Sequence, residues 1–219
     1  MHLRTIAFLL LTPFLTGGAL AQPVADDNLS VNARFLVSAR NADAAGIERG
    51  LTSGANVNSR NRLGESALVI LLKNNKVELA QKVLAAGADV NLAAVNGITP
   101  LMTAAFNGQT GMTKQLLDKG ADVAALDRLQ KNAMTYAAGA GSTEIVELLI
   151  ARGVNPNAVY NNDLTALMWA AGFGKTATVK ALLAAGAKPQ LKDNRGKTAA
   201  DMARDGSFTE TAAVLDAAR

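Results

Sequence analysis

Residues 99–123 read TPLMTAAFNGQTGMTKQLLDKGADV, and the two ends of that stretch decide the fold. Thr99 followed by Pro100 is a helix start: the hydroxyl can accept from an orphan amide of the first turn, and proline needs no amide partner at the first helical position. At the other end, Gly120 follows the apolar pair Leu116-Leu117, where a left-handed residue lets a helix end without a Cβ clash. Gly108 marks a turn between them. The segment therefore predicts helix, turn, helix and glycine cap.

Outward from Gly120, glycine returns at Gly54, Gly87, Gly153 and Gly186, a constant step of 33 residues. Apolar pairs precede three of these as they precede Gly120: Val83-Leu84, Leu149-Ile150 and Leu182-Leu183. A second glycine series follows ten residues behind the first at Gly64, Gly97 and Gly196, with Gln130 and Asp163 in the remaining copies; it marks a turn before the next helix. The helix start recurs as Ser66-Ala67-Leu68-Val69, Asn132-Ala133-Met134-Thr135, Thr165-Ala166-Leu167-Met168 and Thr198-Ala199-Ala200-Asp201. Every copy opens on a residue able to cap. Small pairs at Ala104-Ala105, Ala137-Ala138 and Ala170-Ala171 predict close approach of neighbouring helices.

These two patterns, Thr-Pro-Leu-x-x-Ala-Ala and Leu-Leu-x-x-Gly-Ala-Asp-Val, repeated every 33 residues over roughly 31–219, resemble ankyrin repeats. The resemblance implies an all-α solenoid of about six stacked helix-turn-helix units, with first helices on the concave side and short hairpin fingers between units. Such stacks bury their apolar faces only against neighbours. The expected boundaries are a cleaved signal at 1–21, a leader at 22–30, an N-terminal capping repeat at 31–57, internal repeats at 58–90, 91–123, 124–156 and 157–189, and a C-terminal capping repeat at 190–219. One departure is plain: the family's usual His after Thr-Pro-Leu is replaced by Val69, Met102, Thr135 and Met168.

Composition agrees with a helical stack. Hydrophobic residues make up 49% of the 219 and aromatics only 4%, which suits Ala- and Leu-lined helices better than a strand-rich sandwich. The net charge is +4 with no run of Lys or Arg, so the basic stripe of a nucleic-acid or anionic-membrane surface is not evident. Cysteine is absent, excluding a disulfide framework, a thiolate nucleophile and a Cys-ligated metal.

The first residues read as an address. His2 and Arg4 precede an apolar stretch from Ile6 to Leu15, interrupted only by Thr12 and Pro13, and Ala19-Leu20-Ala21 supplies a small-x-small cleavage site before Gln22. We expect export to the periplasm, with secretion as second choice and an uncleaved membrane anchor as the competing reading. No stable membrane insertion is expected after cleavage.

Catalytic chemistry finds little material. The only histidine, His2, leaves with the signal. Asp89, Asp122 and Asp127 occupy recurring turn positions where hairpin capping accounts for them. Gly174-Lys175-Thr176 and Gly196-Lys197-Thr198 lack the glycine that a phosphate-binding loop needs five residues earlier, since Trp169 and Leu191 stand there. The Asn-rich turns (Asn56, Asn58 and Asn61; Asn155, Asn157, Asn161 and Asn162) read as conformational rather than as ligand sites, because Asn tolerates left-handed geometry. No cofactor or metal is expected.

What remains is a surface. Phe106, Tyr136, Trp169 and Phe173 all fall in the middle or at the end of first helices, and Tyr160 precedes the Trp169 helix. The resemblance places these rings on the concave face, where they suit a protein-binding hot spot; packing between repeats is the alternative, with Phe173 and Tyr160 expected to be more exposed than Tyr136. Finger positions add Arg60, Arg62, Leu63, Val95 and Asn96, then Leu126, Arg128, Leu129, Lys131 and Leu164. The expected function is an exported adaptor, monomeric by itself, that stabilises, positions or inhibits a protein partner. Similar exported ankyrin proteins have been linked to supporting a periplasmic catalase or neutralising toxins. The rival readings are an enzyme or small-ligand binder using a carboxylate/Lys pocket, for which Lys175 and Asp205 are the nearest residues, and an envelope scaffold held through the leader.

Overall fold

The computed structural model describes residues 29–218; the signal and nearly all of the leader lie outside them. Twelve α-helices follow in chain order. The odd-numbered ones are first helices: α1 Val31–Asn41, α3 Ala67–Lys73, α5 Pro100–Phe106, α7 Ala133–Ala140, α9 Ala166–Gly172 and α11 Ala199–Asp205. The even-numbered second helices are each nine residues long: α2 Ala44–Thr52, α4 Val77–Ala85, α6 Thr110–Asp118, α8 Thr143–Ala151, α10 Thr176–Ala184 and α12 Thr209–Ala217. Among the described residues, β geometry is confined to two isolated antiparallel bridges, Arg60 to Ser66 and Val159 to Thr165.

The first helices contact one another in order, α1 to α3 and so on to α11, while α6, α8, α10 and α12 form a second row. The resulting all-α stack of six helix pairs is the expected architecture. Its core repeats with the sequence. Leu68, Leu101, Met134 and Leu167 hold equivalent positions and are at most 1% exposed; truncating one such side chain to Ala costs about 2–5 kcal/mol. The alanine pairs at 104–105, 137–138 and 170–171 are fully buried, allowing the first helices to approach. The residues replacing the family's His are buried too.

Each first helix has the capping geometry that its sequence predicts. Ser66, Thr99, Asn132, Thr165 and Thr198 accept through their side chains from the backbone amides of Val69, Met102, Thr135, Met168 and Asp201. Such a cap contributes about 0.5–2 kcal/mol.

The second helices end alike. After α6, Gly120 takes φ +84° and its amide donates to Leu117 O at 3.0 Å, while the amide of Ala121 donates to Leu116 O at 2.9 Å. These paired bonds form a Schellman closure, repeated at Gly54, Gly87, Gly153 and Gly186. A Cβ at Gly120 would meet nothing within 4 Å, and the same is true at Gly111, which lies inside α6 with an ordinary helical φ. Comparing these two sites therefore isolates backbone strain from packing. Gly120→Ala is expected to destabilise the fold by about 1–2 kcal/mol, and Gly111→Ala to stabilise it by up to about 1 kcal/mol. Urea midpoints that shift equally would refute the left-handed cap.

Candidate functional site

The fingers are built from one turn used five times. Backbone bonds close each of them: Asn61 N to Glu65 O, Ala94 N to Ile98 O, Asp127 N to Lys131 O, Tyr160 N to Leu164 O and Asp193 N to Lys197 O, all at 2.8–3.0 Å. Where the first residue is Asn or Asp, its side chain also caps the turn. Asp127 Oδ1 accepts from the amides of Leu129 and Lys131 at 2.8 Å, and Asp193 Oδ1 from those of Arg195 and Lys197 at 2.9 Å. The glycine of the second series sits at positive φ in three fingers; Gln130 (φ 58°) and Asp163 (φ 58°) adopt the same region without being glycine.

Neighbouring fingers are stitched together. Val95 N donates to Leu63 O at 2.9 Å, Arg128 N to Asn96 O at 3.0 Å, and Asn194 N to Asn162 O at 3.1 Å. At the base, Asn58, Asn91 and Asn157 each accept from the next turn, at the amides of Asp89, Asp122 and Lys188. Both series skip the same step. Ala124 stands where the bridging Asn would be, and the hydrogen bonds of the third and fourth fingers contain no equivalent of the finger stitch. The fourth finger also carries a short 3-10 turn at Asn161–Asp163, with Asn162 at φ 61°.

Side chains fill that step instead. Asn132 Nδ2 donates to Tyr160 Oη at 2.9 Å. Tyr136 Oη donates to Asp127 Oδ2 at 2.6 Å; burial first, and then this carboxylate, push the Tyr136 phenol above its ordinary range. Lys131 Nζ lies 4.7 Å from the Trp169 ring centroid and 5.6 Å from that of Tyr136, within cation–π range of both. The rings continue on either side: Phe106 meets Tyr136 edge-on at 6.1 Å, and Trp169 stacks with Phe173 at 6.2 Å. Phe106, Tyr136, Lys131, Trp169 and Phe173 thus form one connected row over three first helices.

The row differs from expectation in which ring faces outward. Phe106 is 39% exposed, whereas Tyr136, Tyr160, Trp169 and Phe173 are all half-buried. Phe173 is half-buried because it stacks on Trp169 and lies near Gly139, where a Cβ would be in ordinary contact with its ring at 3.5 Å. Tyr160 is held down by Asn132. Among the finger residues, Leu63, Val95 and Leu129 are exposed at 63%, 50% and 56%, and Arg62, Asn96 and Arg128 are exposed too. Leu164 is not at a tip. It is half-buried and packs against the core, since its place in the turn, shared with Ile98, lies next to the helix cap and points inward. Lys131, expected as a finger residue, sits between two rings of the row, and Val159, 58% exposed, belongs to the surface but was missing from the expected site.

Lys175 and Asp205 are not brought together as a pocket: Asp205 pairs with Lys197, while Lys175 covers the Gly141 turn. Among the described residues, no group of three or more His, Asp or Glu side chains is placed to hold a metal ion, and no helix is long and apolar enough to cross a membrane. Asp89 and Asp122 cap their own turns at the amides of Asn91 and Ala124, as Asn56 and Asn155 do at Asn58 and Asn157.

Stacked helix pairs, glycine-closed second helices and stitched hairpin fingers define an α-helical repeat solenoid. The chain belongs to the ankyrin-repeat family: the family model described as "Ankyrin repeats (3 copies)" matches residues 35–127 and 124–193. Repeats of this family generally mediate protein–protein interaction and are typically not enzymes. No curated protein matches the chain.

One carboxylate gives the fingers a pH signature. Burial alone would raise the Asp193 pKa, but the Lys197 amide, then the Arg195 guanidinium at 2.8 Å and the Arg195 amide, outweigh it and hold the group below the usual range. With the folded-state pKa depressed, the unfolded chain takes up the proton first. The stabilisation is therefore complete above about pH 4–5 and is lost as pH falls through the folded pKa. Asp193→Asn should lower the urea midpoint near neutral pH, and its gap from wild type should narrow only in acid. A gap that stays constant to the acid limit would show that charge on Asp193 is not what holds the fifth finger.

Proposed function

We propose that this chain is an exported ankyrin adaptor that binds a protein partner across its first-helix face and fingers, and thereby stabilises, positions or inhibits that partner without chemistry of its own. The connected row from Phe106 to Phe173 is the observation that carries the reading. Rings fixed in place by neighbours lose little freedom on binding, and aromatic anchors dominate interface energetics. Exposed Leu63, Val95 and Leu129 flank the row on the finger tips, where apolar side chains contribute nothing to the core and suit contact with another surface. Support for export comes from the Ala19-Leu20-Ala21 motif before Gln22 and the apolar stretch ahead of it. Periplasmic residence follows from that reading.

The binding half is tested by capturing the partner from the periplasmic fraction with the full chain and measuring its affinity for variants. Phe106→Ala should weaken binding by at least ~2 kcal/mol, about thirtyfold, with little change in melting temperature because the ring is half in water. Phe35→Ala, at a ring that is fully buried, is the contrasting control and should cost about 3–5 kcal/mol of stability. Undiminished binding by Phe106→Ala would move the interface off the ring row. For the export half, intact mass of the protein recovered from the periplasm should begin at Gln22; a chain still starting at Met1 overturns the address.

A further inference from the structure

The finger segments 59–66, 92–99, 125–132, 158–165 and 191–198 hold seven Lys or Arg residues and four carboxylates, and the two signs are exposed to different extents. Three of those carboxylates are spent inside the fold. Glu65 takes Asn61 and Lys73, Asp127 is buried under its turn and Tyr136, and Asp193 is buried against Arg195. Only Asp163 stands exposed among them. The cations divide differently. Arg60 is used to bind Gly64 O and Ala93 O, Arg195 pairs with Asp193 and Lys197 with Asp205, but the side chains of Arg62, Arg128 and Lys192 are exposed and make no hydrogen bond or ion pair among the described residues. Each is adjacent to an apolar residue: Leu63, Leu129 and Leu191. Lys131 adds a positive charge between the Tyr136 and Trp169 rings.

From this distribution we propose that the finger edge selects an acidic segment of the partner protein, one whose carboxylates alternate with apolar side chains. The inference rests on the protein-binding reading above and adds the chemistry of the partner. Fold-consumed acids leave a positive edge with few competing negative charges, so an acidic chain is drawn in and a basic one is repelled. Interleaved Leu63, Val95 and Leu129 supply the apolar contacts that a purely electrostatic ligand would leave unused. A nucleic acid is disfavoured on the same ground: three unpaired cations among exposed aliphatic side chains are a short allotment for a phosphate backbone.

The test is selection of a random peptide library displayed on phage against the full chain, followed by anisotropy measurements on one enriched peptide. Enriched sequences should be acidic with apolar residues interleaved. The synthetic peptide should bind on the order of tenfold more weakly to the Arg62→Ser/Arg128→Ser/Lys192→Ser variant. Binding should also fall as salt rises from about 0.1 M to about 1 M, where the screening length drops from about 10 Å to about 3 Å. A Leu63→Ser/Leu129→Ser variant should weaken the same peptide without altering its salt dependence. Enrichment of basic or uncharged peptides, or equal affinity for the triple variant, overturns the proposal and leaves the adaptor reading standing. A library yielding no binder to the wild-type chain overturns that reading and this inference with it. Single-stranded DNA bound in a manner sensitive to the triple variant, without acidic peptides in the selection, would assign the edge to nucleic acid and overturn it as well.

Discussion

The chain must turn back at the end of every second helix, and it does so through a left-handed residue that only glycine occupies without strain. That reversal carries the architecture. Because the Schellman bonds at Gly120 and its four counterparts fix where each helix stops, every second helix has the same length and every finger begins at the same height. Equal heights make the fingers meet edge to edge, and equal spacing makes equivalent core positions such as Leu101 and Met134 fall in line. Stability then accumulates between neighbours, since a single pair of short helices cannot bury its own apolar face.

Function grows from what repetition leaves free. The buried positions repeat almost without change, while one mid-helix position, buried at Ile70 and Thr103 and half-buried afterwards, runs Ile70, Thr103, Tyr136, Trp169 and Met202 through the units. Variation at a fixed geometric place is how a stack acquires a particular surface without altering its frame. The rings at Tyr136 and Trp169 are brought into partnership by Lys131, a finger residue; Asp127, which looks like simple turn chemistry, also holds the Tyr136 hydroxyl.

Much of the fold was legible because its determinants are local and periodic. Capping residues, glycine closures and the alanine pairs each state their role within a few positions, and the step of 33 residues multiplies the signal. The surface was only half legible. Register alone puts Tyr136 beside Trp169, but the exposure of Phe106 and the half-burial of Phe173 depend on how each ring packs against its neighbours, which spacing does not state. Leu164 was misplaced for a related reason: a finger looks uniformly exposed in sequence, whereas its last position turns toward the cap. The interrupted stitching did leave a trace, since Ala124 breaks the series Asn58, Asn91 and Asn157, yet its meaning needs the hydrogen bonds that those asparagines make.

That interruption changes the mechanical character of the stack. Directional hydrogen bonds lock the other fingers at one relative height, so those units behave as rigid blocks. Between the third and fourth fingers the backbone stitch gives way to the Asn132–Tyr160 side-chain hydrogen bond and to ring and ammonium contacts, whose attraction varies slowly with lateral displacement. The one step held by side chains in place of a backbone stitch thus falls in the middle of the aromatic row.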